Sequence, residues 1–152
     1  CYFNGRVKNT KAHQLAMPVV YYSPITFLYW YDLPDVYKGE KELDFWKHCP
    51  TVWDESKALA GEIGEYIIQA RRTGNDWFVG AMNGLQARNI TLNTADFLQK
   101  GKKYRVEIYN DDPFLQTRTK VSSTVVNIKA GKQLKLHLQA SGGAALRFVP
   151  VR

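Results

Sequence analysis

The chain carries YIIQARRTGNDWFVGAM at residues 66–82, two apolar runs joined by a polar turn. Residues 66–72 and 77–82 have strand length and contain several β-branched and aromatic side chains. Residues 73–76, Thr-Gly-Asn-Asp, supply the residue types that tight turns require. The pattern therefore predicts an antiparallel β-hairpin.

The same pattern continues toward the C-terminus. Apolar segments of strand length lie at residues 89–92, 104–109, 121–128, 134–138 and 144–149. In residues 104–109 charged and apolar side chains alternate, which predicts one face in water and one in the core. Six or seven short strands separated by turns are typical of an antiparallel β-sandwich.

The first fifty residues have a different pattern. Thr10 suits the N-cap of a helix that begins near His13, and Pro24 is expected to end it. The run ITFLYW at residues 25–30 is apolar almost throughout, which favours a strand buried on both faces, as in a parallel sheet. A second helix is predicted over residues 40–47. Helix, buried strand and helix together are one slice of an α/β architecture.

This α/β slice ends near Pro50. In the second helix, Leu43 and either Phe45 or Trp46 are expected to face inward. A slice of fewer than about 50 residues does not bury a core of its own. We therefore expect it to pack on the β-rich remainder or on sequence outside this chain.

Composition excludes some classes of protein. The net charge of +7 invites a nucleic-acid hypothesis, but Lys and Arg occur singly or in pairs, and acids are interleaved through residues 32–65. No recognition-helix pattern or zinc spacing accompanies them, so nucleic-acid binding is not predicted. No run approaches the roughly 20 apolar residues of a membrane span.

Cysteines and histidines are few. Cys1 and Cys49 do not make a disulfide framework, and whether they pair stays open. The three histidines, His13, His48 and His137, are far apart and lack metal-ligand spacing. No metal site is expected from this chain alone.

Several motifs resemble glycoside hydrolase family 97. TKAHQLA at residues 10–16 and VVYYSP at 19–24 are similar to a stretch near the end of that family's catalytic barrel. PTVWDES at 50–56 resembles the junction between its barrel and its C-terminal domain. Strands of that domain resemble GEIGEY at 61–66, ARR at 70–72, WFVGA at 77–81, IYND at 108–111 and SGGAA at 141–145.

The resemblance implies a domain order and an activity. Members are exported bacterial enzymes with an N-terminal β-sandwich, a TIM-type barrel and a C-terminal β-domain. They hydrolyse α-linked oligosaccharides, inverting in the α-glucosidase type and retaining in the α-galactosidase type, with calcium near the active site. The resemblance thus predicts a mainly β chain, with residues 1–50 ending a barrel and residues 51–152 forming an antiparallel β-sandwich.

The resemblance also bears on the missing chemistry. The family's catalytic carboxylates and calcium ligands lie in barrel segments that precede the AHQLA motif, so no residue here inherits those roles. The expected partners are the remaining barrel, the N-terminal domain and the sugar substrate, in a periplasmic or extracellular location. The chain alone is expected to be inactive.

Three residues are candidates for sugar contact. If residues 25–30 form the last barrel strand, Trp30, Tyr31 and Asp32 lie at its C-terminal end, where TIM barrels build active sites. Aromatic rings suit the apolar faces of sugars, and a carboxylate suits their hydroxyls. The alternative is that these aromatics pack beneath the sandwich or fill the barrel mouth.

Other conspicuous residues have structural interpretations. The acids Asp54, Glu55, Glu62 and Glu65 resemble a glycosidase pair only superficially. We interpret them as turn and surface residues that pair with Arg71, Arg72 or lysines. His13 is expected to be a hydrogen-bonded structural histidine, and Trp53 an anchor at the domain junction.

A second hypothesis is a stand-alone carbohydrate-binding β-sandwich. It requires aromatic rings on the surface, and Trp77, Tyr104 and Tyr109 are the candidates. Alternation along the strands predicts that most of them face inward. We therefore favour a fragment of an α-glycosidase whose sandwich supports the barrel.

Overall fold

The computed structural model describes residues 7–23, 25 and 34–151. In this part of the chain two α-helices, α1 (Lys11–Val20) and α2 (Leu43–His48), precede the strands. Eight strands follow: β1 (Glu55–Glu62), β2 (Tyr66–Thr73), β3 (Asp76–Asn83), β4 (Arg88–Asn93), β5 (Lys103–Asp111), β6 (Val121–Lys129), β7 (Gln133–Leu138) and β8 (Gly143–Pro150). Short 3₁₀ turns lie at Pro34–Val36 and Thr94–Asp96.

The strands form two antiparallel sheets. The larger sheet has six strands in the order β1-β2-β3-β8-β5-β6, and β4 pairs with β7 in the smaller one. The predicted hairpin is confirmed, because β2 and β3 pair in register up to Thr73 and Asp76. Gly74, in the turn, has a φ of +55°, which glycine adopts without steric cost.

The composition of strand β1 does not predict a strand. Its residues, ESKALAGE, include several good helix formers and no β-branched side chain. Pairing with β2 across the sheet overrides that preference, since a strand is stabilised by its cross-strand neighbours. The described part of the chain consequently has one strand more than the upper end of the predicted range.

One face of the six-stranded sheet packs against the β4–β7 pair. This core contains the fully buried residues Val79, Val106, Leu138, Leu146 and Phe148. Phe97 packs its ring edge-on against both Trp77 and Phe148, at centroid distances of 5.5 and 5.1 Å. The prediction of a mainly antiparallel β-sandwich is confirmed at this level.

The other face of the sheet is covered by the two helices. Leu15 and Val19 of α1 and Phe45 of α2 pack with Phe78 and Tyr109 of the sheet. The prediction of one wet face for residues 104–109 is therefore wrong in part. Lys103 and Arg105 are exposed, but Glu107 is only 8% exposed.

Helix α1 lies directly on the sheet. Thr10 caps it as predicted, because its hydroxyl accepts a hydrogen bond from the His13 amide at 3.1 Å. A Cβ atom on Gly80 would lie 2.7 Å from the carbonyl oxygen of Ala16, and one on Gly143 would lie 2.6 Å from the Cα of His13. Glycine at these two positions lets the helix backbone approach the strands.

The end of α1 is held by an arginine. The helix ends at Val20, before the Ser-Pro pair expected to stop it, and Arg71 donates from Nε to the Val19 carbonyl at 2.5 Å. Arg71 Nη2 donates to the Val20 carbonyl at 3.3 Å. The last carbonyls of a helix lack partners within it, so a guanidinium is well suited to this position.

The second predicted helix is present as α2, and Phe45 is its buried residue. Residues 26–30 of the predicted barrel strand lie outside the described residues. The assignment of residues 1–50 to a TIM-type barrel, with a boundary near Pro50, stays a prediction.

Candidate functional site

The residues predicted to contact sugar, Trp30, Tyr31 and Asp32, lie outside the described part of the chain. Their position relative to one another stays a prediction. Four other places in the described residues contain polar, charged or apolar groups that a site needs. These are the acids after Pro50, a cleft beside Trp77, a polar cluster around His13 and Asp111, and a groove beside α1.

Two of the acids after Pro50 bind residues of β2 and of the turn that follows it. Glu55 accepts from Arg72 Nε at 3.0 Å and lies 3.3 Å from Lys57 Nζ. The hydrogen bond from Arg72 is the main reason that the pKa of Glu55 lies below its usual value. Asp54 accepts from the Gly74 amide at 2.7 Å. A glycosidase acid needs a raised pKa, so this environment is unsuited to that role.

The predicted pairing of these acids is correct for Arg72 and for a lysine. It is wrong for Arg71, which binds the carbonyls of α1 and the hydroxyl of Ser56 instead. Glu65 pairs instead with Arg88, at 2.8 Å. Strand alternation explains the error, because neighbouring residues of β2 point to opposite faces of the sheet.

A cleft of about 360 Å³ lies beside Trp77. Its rim is polar and includes Glu55, Lys57, Asp96 and Gln99. The ring of Trp77 is only 5% exposed, with Lys57 Nζ 5.4 Å from its centroid and Phe97 packed edge-on. Stacking of a sugar needs a free aromatic face, which this tryptophan does not offer.

The other two aromatics considered for sugar binding are also buried. Tyr104 is 3% exposed and Tyr109 is 4% exposed. The prediction that these side chains face inward is confirmed. Their burial argues against a stand-alone carbohydrate-binding module built on Trp77, Tyr104 or Tyr109.

A buried polar cluster joins the start of α1 to the loop before β8. His13 Nδ1 lies 3.0 Å from the Gly142 carbonyl oxygen, and the Gly143 amide donates to Asp111 at 2.8 Å. Burial raises the pKa of Asp111 and lowers the pKa of His13. The structural interpretation of His13 is confirmed. The sequence does not single out Asp111, because the amide that it binds lies 32 residues later in the chain.

We expect this histidine to make the stability of the domain depend on pH. Its pKa is lowered in the folded chain, so the unfolded chain takes up the proton more readily and stability falls as pH drops below about 6.5. The melting temperature of the wild type should fall more steeply from about pH 7 to about pH 5 than that of His13→Gln. Asp111 is present in both proteins, so the difference reports His13 together with its effect on the neighbouring carboxylate. Parallel curves would contradict the assignment.

A groove of about 680 Å³ runs beside α1 and the β1–β2 turn. Tyr21, Ile63, Ile67 and Met82 contribute to its lining. Tyr21 is 56% exposed, and the side chain of Ile63 is fully exposed. The groove thus presents apolar surface close to the point where the chain leaves α1.

Within residues 7–23, 25 and 34–151, no group of three or more His, Cys, Asp or Glu side chains is placed to hold a metal ion. The calcium ion implied by the resemblance therefore finds no fitting ligand set among them.

Burial raises the pKa of the Cys49 thiol to about 12, whereas Cys1 lies outside the described residues. None of the described helices is long and apolar enough to cross a membrane.

The described fold is that of a β-sandwich domain, and the acids Asp54 and Glu55 after Pro50 form ion pairs and hydrogen bonds at the end of its larger sheet. Residues 52–149 match the family model described as "Glycosyl-hydrolase 97 C-terminal, oligomerisation". The chain belongs to this family. The resemblance seen in its motifs is thereby confirmed.

Known proteins agree with this assignment. The chain is 37% identical over 150 residues to a retaining alpha-galactosidase of Bacteroides thetaiotaomicron, covering 97% of this chain and 22% of that protein. A glycoside hydrolase family 97 enzyme from Pseudoalteromonas sp. strain K8, solved with acarbose, superposes with a TM-score of 0.84 at 36% identity over 95% of this chain and 23% of that one. A beta-arabinopyranosidase superposes with a TM-score of 0.74 at 27% identity, over 92% of this chain and 21% of that one.

The chain spans less than a quarter of the length of these relatives. The matched part contains the C-terminal domain that the family model describes. The activity named for each relative belongs to the whole of that protein.

Proposed function

We propose that this chain is the C-terminal portion of an α-glycoside hydrolase that acts on α-linked oligosaccharides. The observation that carries the proposal is identity of 36–37% over nearly the whole chain to a retaining alpha-galactosidase and to a family 97 enzyme. Relatives include a retaining alpha-galactosidase and an enzyme solved with acarbose and with panose. Both the α-galactosidase and the α-glucosidase type therefore stay open for the parent protein.

In this proposal the sheet holds the last part of a TIM-type barrel in place. Arg71 fixes the carbonyl end of α1, and Gly80 and Gly143 let the helix lie flat on the strands. The exposed side chains of Tyr21 and Tyr22 follow directly. This arrangement supports a role in which the end of α1 is held at a defined point on the domain.

The proposal assigns the remaining chemistry to the rest of the parent protein. The catalytic carboxylates and the calcium ligands would lie in barrel segments that precede residue 10. Export to the periplasm or the cell exterior is part of the same proposal and rests on the family resemblance alone.

The proposal is tested by comparing the 152-residue chain with the longer protein that contains it. Each is incubated with p-nitrophenyl α-galactoside and p-nitrophenyl α-glucoside, and nitrophenol release is followed. The chain alone should release none, whereas the longer protein should hydrolyse one of the two substrates. Hydrolysis by the chain alone, or none by the longer protein on any α-glycoside, would contradict the proposal.

Substitution of Trp30 tests the predicted sugar contact. If the indole forms part of the substrate wall, Trp30→Ala in the longer protein should reduce kcat/KM by about 10-fold or more, through a higher KM or a lower kcat. Trp53→Phe serves as a control, because Trp53 packs edge-on against Phe78 at 5.4 Å within the domain. Unchanged kinetics in a folded Trp30→Ala variant would remove Trp30 from the site.

A further inference from the structure

Strand β6 lies at one edge of the larger sheet that the structure describes. Among the strands that the structure describes, it pairs with β5 alone. The register runs from Lys103 opposite Lys129 to Asp111 opposite Val121 without an irregularity. β6 is therefore a straight edge of nine residues.

The hydrogen bonds at the two ends of the β5–β6 ladder identify which residues of β6 direct their backbone N–H and C=O groups away from β5. The Asp112 amide donates to the Lys120 carbonyl, and the Ala130 amide donates to the Lys102 carbonyl. In an antiparallel ladder hydrogen-bonded pairs alternate, so the even-numbered residues of β6 bond to β5. Odd-numbered residues of β5 bond to β8, as the Val151 amide donating to Lys103 shows. The odd-numbered residues of β6 thus direct their N–H and C=O groups away from the sheet.

This edge lacks the features by which proteins protect open strands. Its sequence, VSSTVVNIK, has no proline or glycine, and Lys129 at its end is its one charged residue. Val125, at its midpoint, is 51% exposed. Such edges are templates for pairing with another chain, unless charges, bulges or prolines interrupt them.

The opposite edge of the sheet is protected. β1 has a register irregularity between Ala58 and Ala60. It also carries the charged residues Glu55, Lys57 and Glu62. Bulges and charges on an edge strand discourage pairing. The contrast singles out β6 as the edge open to a partner.

We propose that β6 pairs antiparallel with β6 of a second copy of this chain, about a two-fold axis at Val125. Val125 is both the midpoint of the strand and an odd-numbered residue, so the two copies overlap fully and exchange hydrogen bonds there. Ser123 then lies opposite Asn127, and Val121 lies opposite Lys129. No like charges face each other, and the two sheets become one of twelve strands.

A second copy is the partner that this edge fits best. A strand whose midpoint bonds outward is complementary to itself under two-fold symmetry, which is how most homodimers assemble. The family model that matches residues 52–149 carries oligomerisation in its description. The proposal adds the strand, the register and the axis, and it does not depend on hydrolase activity.

Cysteine cross-linking tests the register. In a Cys1→Ser, Cys49→Ser background, Val125→Cys places two thiols on opposed residues whose Cα atoms are about 5.5 Å apart, within disulfide range. Ser122→Cys is the matched control, because its two copies would be six residues, or roughly 20 Å, apart. A covalent dimer is expected on mild oxidation of Val125→Cys but not of Ser122→Cys. Cross-linking of both variants, or of neither, would overturn the proposal.

Light scattering over a concentration series tests the edge itself. The Val125 amide points outward, so Val125→Pro removes a donor from the edge without breaking the β5 ladder. Val125→Thr, which keeps that donor and the β-branched shape, is the control. With circular dichroism showing folded protein, Val125→Pro should be monomeric and Val125→Thr dimeric. A wild type that is monomeric throughout, or a folded Val125→Pro that is still a dimer, would refute the pairing.

Discussion

Phe148→Ala is expected to lower the free energy of unfolding by about 4 kcal/mol. The side chain is fully buried in β8, a central strand whose residue 148 faces Trp77 of β3 and Val106 of β5. Its ring also meets Phe97 edge-on at 5.1 Å. Removing the ring loses the free energy of burying its apolar surface. It also leaves a cavity, because the closely packed side chains of the two sheets relax only in part to fill it.

Urea denaturation of wild type and variant measures this loss. Phe114→Ala is the matched control, because Phe114 is 88% exposed in the β5–β6 loop and its removal should change stability by less than about 0.5 kcal/mol. The total stability of a domain is about 5–15 kcal/mol, so Phe148→Ala should leave a marginal protein. Equal effects of the two substitutions would mean that residue 148 is not in a packed core.

Gly143→Ala is expected to cost about 3 kcal/mol by a different mechanism. The new methyl group would lie 2.6 Å from the Ala81 carbonyl oxygen and 2.6 Å from the Cα of His13. Both neighbours are backbone atoms, so a rotamer change does not relieve the clash. Helix α1 must move away from the sheet, and the bond between the Gly143 amide and Asp111 is strained with it.

Hydrogen exchange locates the damage. The amides of Lys11–Val20, Pro18 excepted, should lose protection in Gly143→Ala more than those of the β4–β7 pair, which lies on the other face of the sheet. Gly131→Ala is the control, since it has open space and a φ of +96°. Its cost should be about 1 kcal/mol and should not affect α1. Undiminished protection of α1 in Gly143→Ala would contradict the close approach.

Local sequence signals are sufficient to predict the main hairpin and the start of α1. The Thr-Gly-Asn-Asp turn and its flanking apolar runs predict the β2–β3 hairpin, because turn geometry and strand propensity act over a few residues. Thr10 marks the start of α1 for the same reason. The motifs that resemble glycoside hydrolase family 97 are likewise recognisable in the sequence alone.

Local signals are not sufficient where a segment distant in sequence decides whether a strand forms, a side chain is buried or an ion pair is made. Strand β1 has a composition that does not favour a strand and exists because β2 lies beside it. Glu107 is buried although alternation places it on a wet face, because the helices cover that face of the sheet. Arg71 is one of the alternative partners predicted for the acids, yet the helix carbonyls that it binds lie about fifty residues earlier in the chain.

The sequence by itself determined the class of domain, the main hairpin and the family, since these depend on short-range pattern and on motif order. Only the tertiary structure decided that α1 and α2 cover the second sheet face, that Arg71 binds the end of α1, and that β6 is an edge of the described sheet. The physical reason is that burial, ion pairing and edge exposure depend on which distant segments meet, and local propensity does not encode those contacts.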